Sequence, residues 1–237
     1  MPSHDTMFPP RSWLPCLLTA SNIAAGFTSM ILAASGRFDA AVYLLCLAIV
    51  LDMLDGRVAR LLRATSEVGR QLDSFCDAVS FGAAPALLIY LAILHEMGVL
   101  GVAAALVYLF AGLYRLSRFN LVSDVHTKAR RTMGVPIPIG ASYLMAAVLM
   151  RGELPAAAAA AVVLAMAVGM VSRRRLPELK GIGPVTAMLL VGVGNYLVFV
   201  AWPNWYTVGW WTLWNVFIVL AARIEDRRLA LEPSVES

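Results

Sequence analysis

The feature that most limits what this chain can fold into is a succession of long apolar runs separated by short polar or Gly/Pro breaks. They cover about 13–34, 38–60, 71–94, 98–120, 134–151, 154–172, 182–202 and 207–224. A helix needs about 20 apolar residues to cross the hydrocarbon core of a bilayer. In hydrocarbon only helices and closed barrels satisfy their own backbone, and these runs lack the strict alternation of barrel strands. The expected fold is all-α, a polytopic membrane bundle of about eight transmembrane helices forming a single integral membrane domain over 1–237. Composition agrees. The chain is 60% hydrophobic and 14% charged, against about 25% charged in ordinary globular proteins, and its mean hydropathy of +0.74 excludes a soluble enzyme.

The net charge of +4 has a topological reading. Seventeen of the 19 Lys and Arg residues fall at the N-terminus, in the even-numbered connections or at the C-terminus; only Arg37 and Arg151 fall in the others. Cytoplasmic connections are enriched in Lys and Arg, so both termini are expected in the cytoplasm. Trp202, Trp205, Tyr206, Trp210 and Trp211 then lie at the outer interface, where aromatic belts form. No dense basic tract with interleaved aromatics points to nucleic acid. The start of the chain lacks the features of a cleaved secretory signal, so the first apolar run is expected to stay in the mature protein. Cys16, Cys46 and Cys76 are too scattered for a zinc site or a disulfide framework. The run Ala156 to Ala161 reads as a small-residue face for close helix packing.

Ionisable residues inside membrane segments are costly and mark functional sites. Asp52 and Asp55 stand i, i+3 near the end of the second run, and Asp73 and Asp77 stand i, i+4 at the start of the third. Each pair shares a helix face, and an antiparallel hairpin would bring all four together at the membrane surface. Four carboxylates in one place need a cation between them. Oxygen-only donors favour Mg²⁺, Mn²⁺ or Ca²⁺, and two divalent ions bridged by shared carboxylates is the preferred reading. The alternative is that Arg57, Arg60 and Arg70 simply pair with the acids. Gly56, Ala59 and Gly69 either let helices pack closely or let a bulky ligand approach the backbone. Arg60 suits an anionic phosphate through its planar fork of donors.

Taken in order, residues 52–77 read Asp-x-x-Asp-Gly-x-x-Ala-Arg, eight residues, then Gly-x-x-x-Asp-x-x-x-Asp. This resembles, at every fixed position, the signature of the CDP-alcohol phosphatidyltransferase family. The resemblance implies a membrane enzyme that moves a phosphatidyl-type group from a CDP-linked lipid to an alcohol, with release of CMP. It further implies a divalent metal, Mg²⁺ or Mn²⁺, on Asp52, Asp55, Asp73 and Asp77, and a homodimer. The stretch Leu72 to Ala86, with Ser74 and Ala78, looks like the branch of that family whose acceptor is serine. So do Ser21 to Phe27, Arg115 to Asn120, Gly134 to Pro138, and Met170 to Ser172 with Lys180. Phe75 and Cys76 stand where Leu-Ala is commoner, Ile139 and Gly140 stand where small Ala residues are usual, and Arg173 to Arg175 are more basic than usual. The resemblance places the catalytic core at about 13–180, leaving two additional C-terminal helices at about 182–224.

On that resemblance the substrates are CDP-diacylglycerol and serine, the membrane is the plasma (inner) membrane, and the site opens to the cytoplasmic face. Asp77 is expected both to touch a metal and to accept the proton of the acceptor hydroxyl. Gly56, Ala59, Arg60, Gly69 and Asn22 are the expected CDP-lipid residues, and Arg118, Asn120 and Arg115 the expected serine residues. Arg130 and Arg131 read as cytoplasmic charges that meet anionic headgroups, and Pro136 and Pro138 suit the opening turn of a helix. An Arg-rich pocket also fits a phosphate-bearing acceptor, so glycerol phosphate or inositol phosphate stay open, as does choline. Intramembrane acids also line ion paths, so a cation transporter is the alternative of a different class.

Overall fold

The computed structural model describes residues 13–62, 67–122, 134–173 and 182–231, all of whose regular structure is helical. Helices α1 (Trp13–Ala34) and α2 (Phe38–Leu61) form a tight hairpin. Its turn is set by Gly36, whose φ of 74° is a conformation glycine adopts at little cost. Arg37 N–H donates to Leu32 O at 2.9 Å and Gly36 N–H to Ala33 O at 3.0 Å. This is the paired bonding that closes a helix over a left-handed residue.

The buried residues of α1 are Pro15, Thr19, Asn22, Ala25, Gly26, Ser29 and Ala33. Their spacing of three and four traces one face, and that face is small or polar. The opposite face carries exposed Trp13, Leu17, Phe27 and Ile31. Small residues inside and large apolar ones outside is the pattern of helices that pack in lipid, where large side chains gain nothing by turning inward.

The third apolar run is not one regular helix. It comprises α3 (Glu67–Asp77), a π-helical turn (Ala78–Ala83), α4 (Ala84–Ala92) and a 3₁₀ turn (Leu94–Met97). The wide turn is defined by Ala84 N–H donating to Val79 O, five residues back. Then come α5 (Val99–Val122), α6 (Ile137–Leu149), α7 (Ala156–Val171), α8 (Ile182–Ala201) and α9 (Trp205–Leu231). Among the described residues, three stretches are long and apolar enough to cross a membrane, Trp13–Ala34, Val68–Ala92 and Val99–Leu121, whereas Ile137–Leu149, Ala156–Val171 and Val191–Ala201 are shorter apolar helices.

The described residues within Met1–Ser117 and Pro136–Val171 form one compact unit, and those within Arg118–Val135 and Ser172–Ser237 a second. In the first, α1 packs on α2, α4, the π turn and α3, while α6 packs on α2, α4, the π turn and α7. At the end of this unit remote from Asp52, Arg151 closes a two-pronged ion pair on Asp39, at 2.6 and 3.1 Å. In the second unit α8 packs on α9. The start of α9 is fixed by a reciprocal cap, with Thr207 N–H donating to Asn204 Oδ1 at 3.0 Å and Asn204 N–H to Thr207 Oγ1 at 3.1 Å.

Candidate active site

The acids that the spacing pairs on two helices do converge. Asp52 and Asp55 come from the last turns of α2 and Asp73 from α3, and one carboxylate oxygen of each lies within 4.8 Å of the others. Asp55 is 4% exposed, and its Oδ2 accepts a hydrogen bond from Thr19 Oγ1 at 2.9 Å. Thr19 thus ties the metal-type cluster to α1. The same hydroxyl lies 3.0 Å from Pro15 O, so it has two acceptors within reach of one proton.

Asp77 lies outside the three-acid set but close to it. It ends α3, one helical turn after Asp73, and its carboxyl feels the charges of both Asp52 and Arg115. Its Oδ1 is buried with no hydrogen-bond partner among the described residues. A buried carboxylate oxygen with no donor is unusual in a native fold. It is the atom one expects to be completed by a ligand.

The donor set fits a hard divalent cation. It offers carboxylate oxygens only, from two helices, at a separation that one ion can bridge. Without a cation the three like charges would repel one another at close range.

Other expected residues divide. Gly56, Ala59 and Gly69 are partly buried beside the acids in sequence. Asn22 is fully buried; neither polar atom of its side-chain amide has a partner among the described residues, and its backbone carbonyl accepts a bond from Ser80 Oγ at 3.2 Å. Arg115 is buried and belongs to the same unit as the acids. Arg118 and Asn120 belong to the second unit, where Arg118 donates to Ser172 O at 3.1 Å. The side chain of Arg60, and residues Arg130, Arg131 and Lys180, lie outside the described residues.

Three features escape a reading of spacing alone. Thr19 is one, although its place three residues before Asn22 on the α1 face was a usable signal. The approach of α1 to the π turn is another. A Cβ on Gly26 would lie 2.8 Å from the Cα of Ser80, so only glycine fits. The third is the π turn itself, for which Pro85 was the sequence sign. Pro85 lacks the N–H that would bond Phe81 O in a regular helix. Tyr108, fully buried on α5, supplies the missing donor, its hydroxyl reaching Phe81 O at 2.9 Å.

A lipid-facing, all-helical integral membrane protein with a carboxylate cluster that could hold a metal ion is the class that fold and site define. The chain belongs to the CDP-alcohol phosphatidyltransferase family, whose model matches residues 12–172. It is 38% identical over 141 residues to a Helicobacter pylori CDP-diacylglycerol–serine O-phosphatidyltransferase, covering 60% of this chain and 59% of that protein. It is 35% identical over 134 residues to the Bacillus subtilis protein of the same name, covering 56% and 74%. An archaetidylserine synthase from Methanothermobacter thermautotrophicus is 34% identical over 179 residues, with 73% of each chain covered. The match spans about 59% of the length of the Helicobacter relative.

Proposed function

We propose that this chain is a phosphatidylserine synthase, transferring the phosphatidyl group of CDP-diacylglycerol to the hydroxyl of L-serine with release of CMP. The observation that carries the reading is the convergence of Asp52, Asp55 and Asp73 within 4.8 Å, in a chain of this family. The relatives' names supply the acceptor: serine is common to the bacterial and archaeal proteins.

In this reading Asp52, Asp55 and Asp73, with Asp77 at their edge, hold two divalent ions, Mg²⁺ or Mn²⁺. When bound, the ions neutralise the diphosphate and stabilise the departing CMP. The serine hydroxyl oxygen bonds to the phosphatidyl phosphorus while the bond from that phosphorus to the CMP oxygen breaks. The hydroxyl proton passes to Asp77. The orphaned Oδ1 of Asp77 supports that role, because a base must have a free oxygen within reach of the attacking hydroxyl.

Gly56, Ala59, Arg60, Gly69 and Asn22 contact the CDP-lipid, and Arg115, buried in the same unit as the acids, is the candidate for the serine carboxylate. The protein spans the plasma membrane as about eight helices with both termini in the cytoplasm, acts as a homodimer, and opens its site to the cytoplasmic face.

The test is CMP release by the purified protein from CDP-diacylglycerol with Mn²⁺ or Mg²⁺, offering serine, glycerol 3-phosphate, inositol phosphate or choline separately. Release with serine alone, abolished by EDTA and restored by Mn²⁺, is the expected result. Release only with another alcohol overturns the acceptor and keeps the metal site. Cation flux without CMP release would turn the chain into a transporter.

A further inference from the structure

We propose that Tyr108, acting with Pro85, is a positioning residue for the acids of α3, because it holds open the π turn that begins directly after Asp77. The turn spans Ala78–Ala83. A π turn takes in one extra residue, so it rotates the helix on its N-terminal side relative to the helix on its C-terminal side by about one residue's step, ~100°. Asp73 and Asp77 lie on the N-terminal side. The buried face of α4, with Ala84, Pro85, Ala86, Leu88 and Ile89, lies on the C-terminal side. With α4 anchored in the core, the wide turn sets the direction in which the acids face.

Such turns use poorer hydrogen-bond geometry and are rare unless something holds them. Here two side chains hold the turn to other helices. Ser80 Oγ donates to Asn22 O at 3.2 Å, fixing the turn to α1. Tyr108 Oη donates to Phe81 O at 2.9 Å, fixing it to α5 through the one carbonyl that Pro85 deprives of its regular donor. The ring of Tyr108 is seated against Gly140, where an added Cβ would stand 3.4 Å from the ring. The side chain is fully buried, so its hydroxyl has no solvent to turn to.

The turnover half of the test rests on the function proposed above; the metal half does not. Mn²⁺ affinity is measured by EPR titration of the full-length purified protein, and kcat and KM for serine by CMP release. Tyr108→Phe keeps the ring and loses only the donor. It is expected to weaken Mn²⁺ binding and lower kcat, each about tenfold or more, with KM for serine little changed. Pro85→Ala restores a backbone donor to Phe81 O and favours the regular helix, so it is expected to lower both in the same way.

The double variant Y108F/P85A separates positioning from simple satisfaction of the carbonyl. It regains thermal stability but not Mn²⁺ affinity or kcat. Wild-type affinity and kcat in Tyr108→Phe, or their recovery in the double variant, overturns the proposal. If Tyr108→Phe does not fold, Pro85→Ala decides alone, and wild-type values there overturn it. A wild-type protein that binds Mn²⁺ but releases no CMP removes the functional reading and leaves the metal measurements to judge the clamp.

Discussion

Replacing Asp77 by Asn separates binding from chemistry, since the amide keeps the carboxylate's shape but cannot take a proton. CDP-lipid binding is expected to persist while turnover falls by about 10²-fold or more; equilibrium binding and CMP release on the same preparation check it, and retained turnover removes the base role. Thr19 makes a different kind of prediction. Its hydroxyl orients Asp55, and partners that orient metal ligands are worth about 10–100-fold in metal affinity. Thr19→Val should weaken Mn²⁺ binding by that order, with Thr19→Ser restoring it, as read by Mn²⁺ titration. The acids were legible in the sequence because cost marks them: four aspartates within 26 residues of a membrane chain need a reason. Thr19 was less legible, since a hydroxyl in a helix often just bonds the carbonyl four residues back, and this one has Pro15 O within reach as well.

At the scale of elements, the caps and the ion pair are separable from the chemistry. The reciprocal cap of Asn204 and Thr207 opens α9, and Asn204→Ala is expected to cost about 1 kcal/mol, visible as a lower Tm with metal binding unchanged. The Arg151–Asp39 pair is about one-third and one-half exposed at its two side chains. Pairs so exposed contribute roughly 0–1 kcal/mol, so Arg151→Ala should shift Tm little. A large drop would mean that lipid excludes water from that end. The helix limits matched the apolar runs closely where Gly and Pro punctuate them, as at Gly36. The interruption of the third run did not, because the apolar residues continue through it and only Pro85 breaks the pattern. Whether a proline kinks a helix, ends it or widens a turn depends on which donor reaches the freed carbonyl, and that donor lies on another helix.

Across the whole molecule, the charge asymmetry predicts which loops face the cytoplasm. In sealed vesicles with that side outward, cysteines introduced at the N-terminus and after residue 231 should both react with an impermeant maleimide, and one introduced beside Arg151 should not. Labelling of the termini from opposite sides would break the even count of spans. The sequence by itself determined that the chain is helical and lipid-facing, that its acids lie on two helix faces, and to which family it belongs. These rest on local rules of period, cost and spacing that hold whatever the neighbours do. Only the tertiary structure decided that Asp52, Asp55 and Asp73 close into one set while Asp77 keeps a buried oxygen without a donor among the described residues, that Thr19 steadies Asp55, and that Tyr108 supports a π turn. Each of those is a contact between residues on different turns or helices, and its geometry depends on how helices approach, which small residues such as Gly26 permit but do not specify.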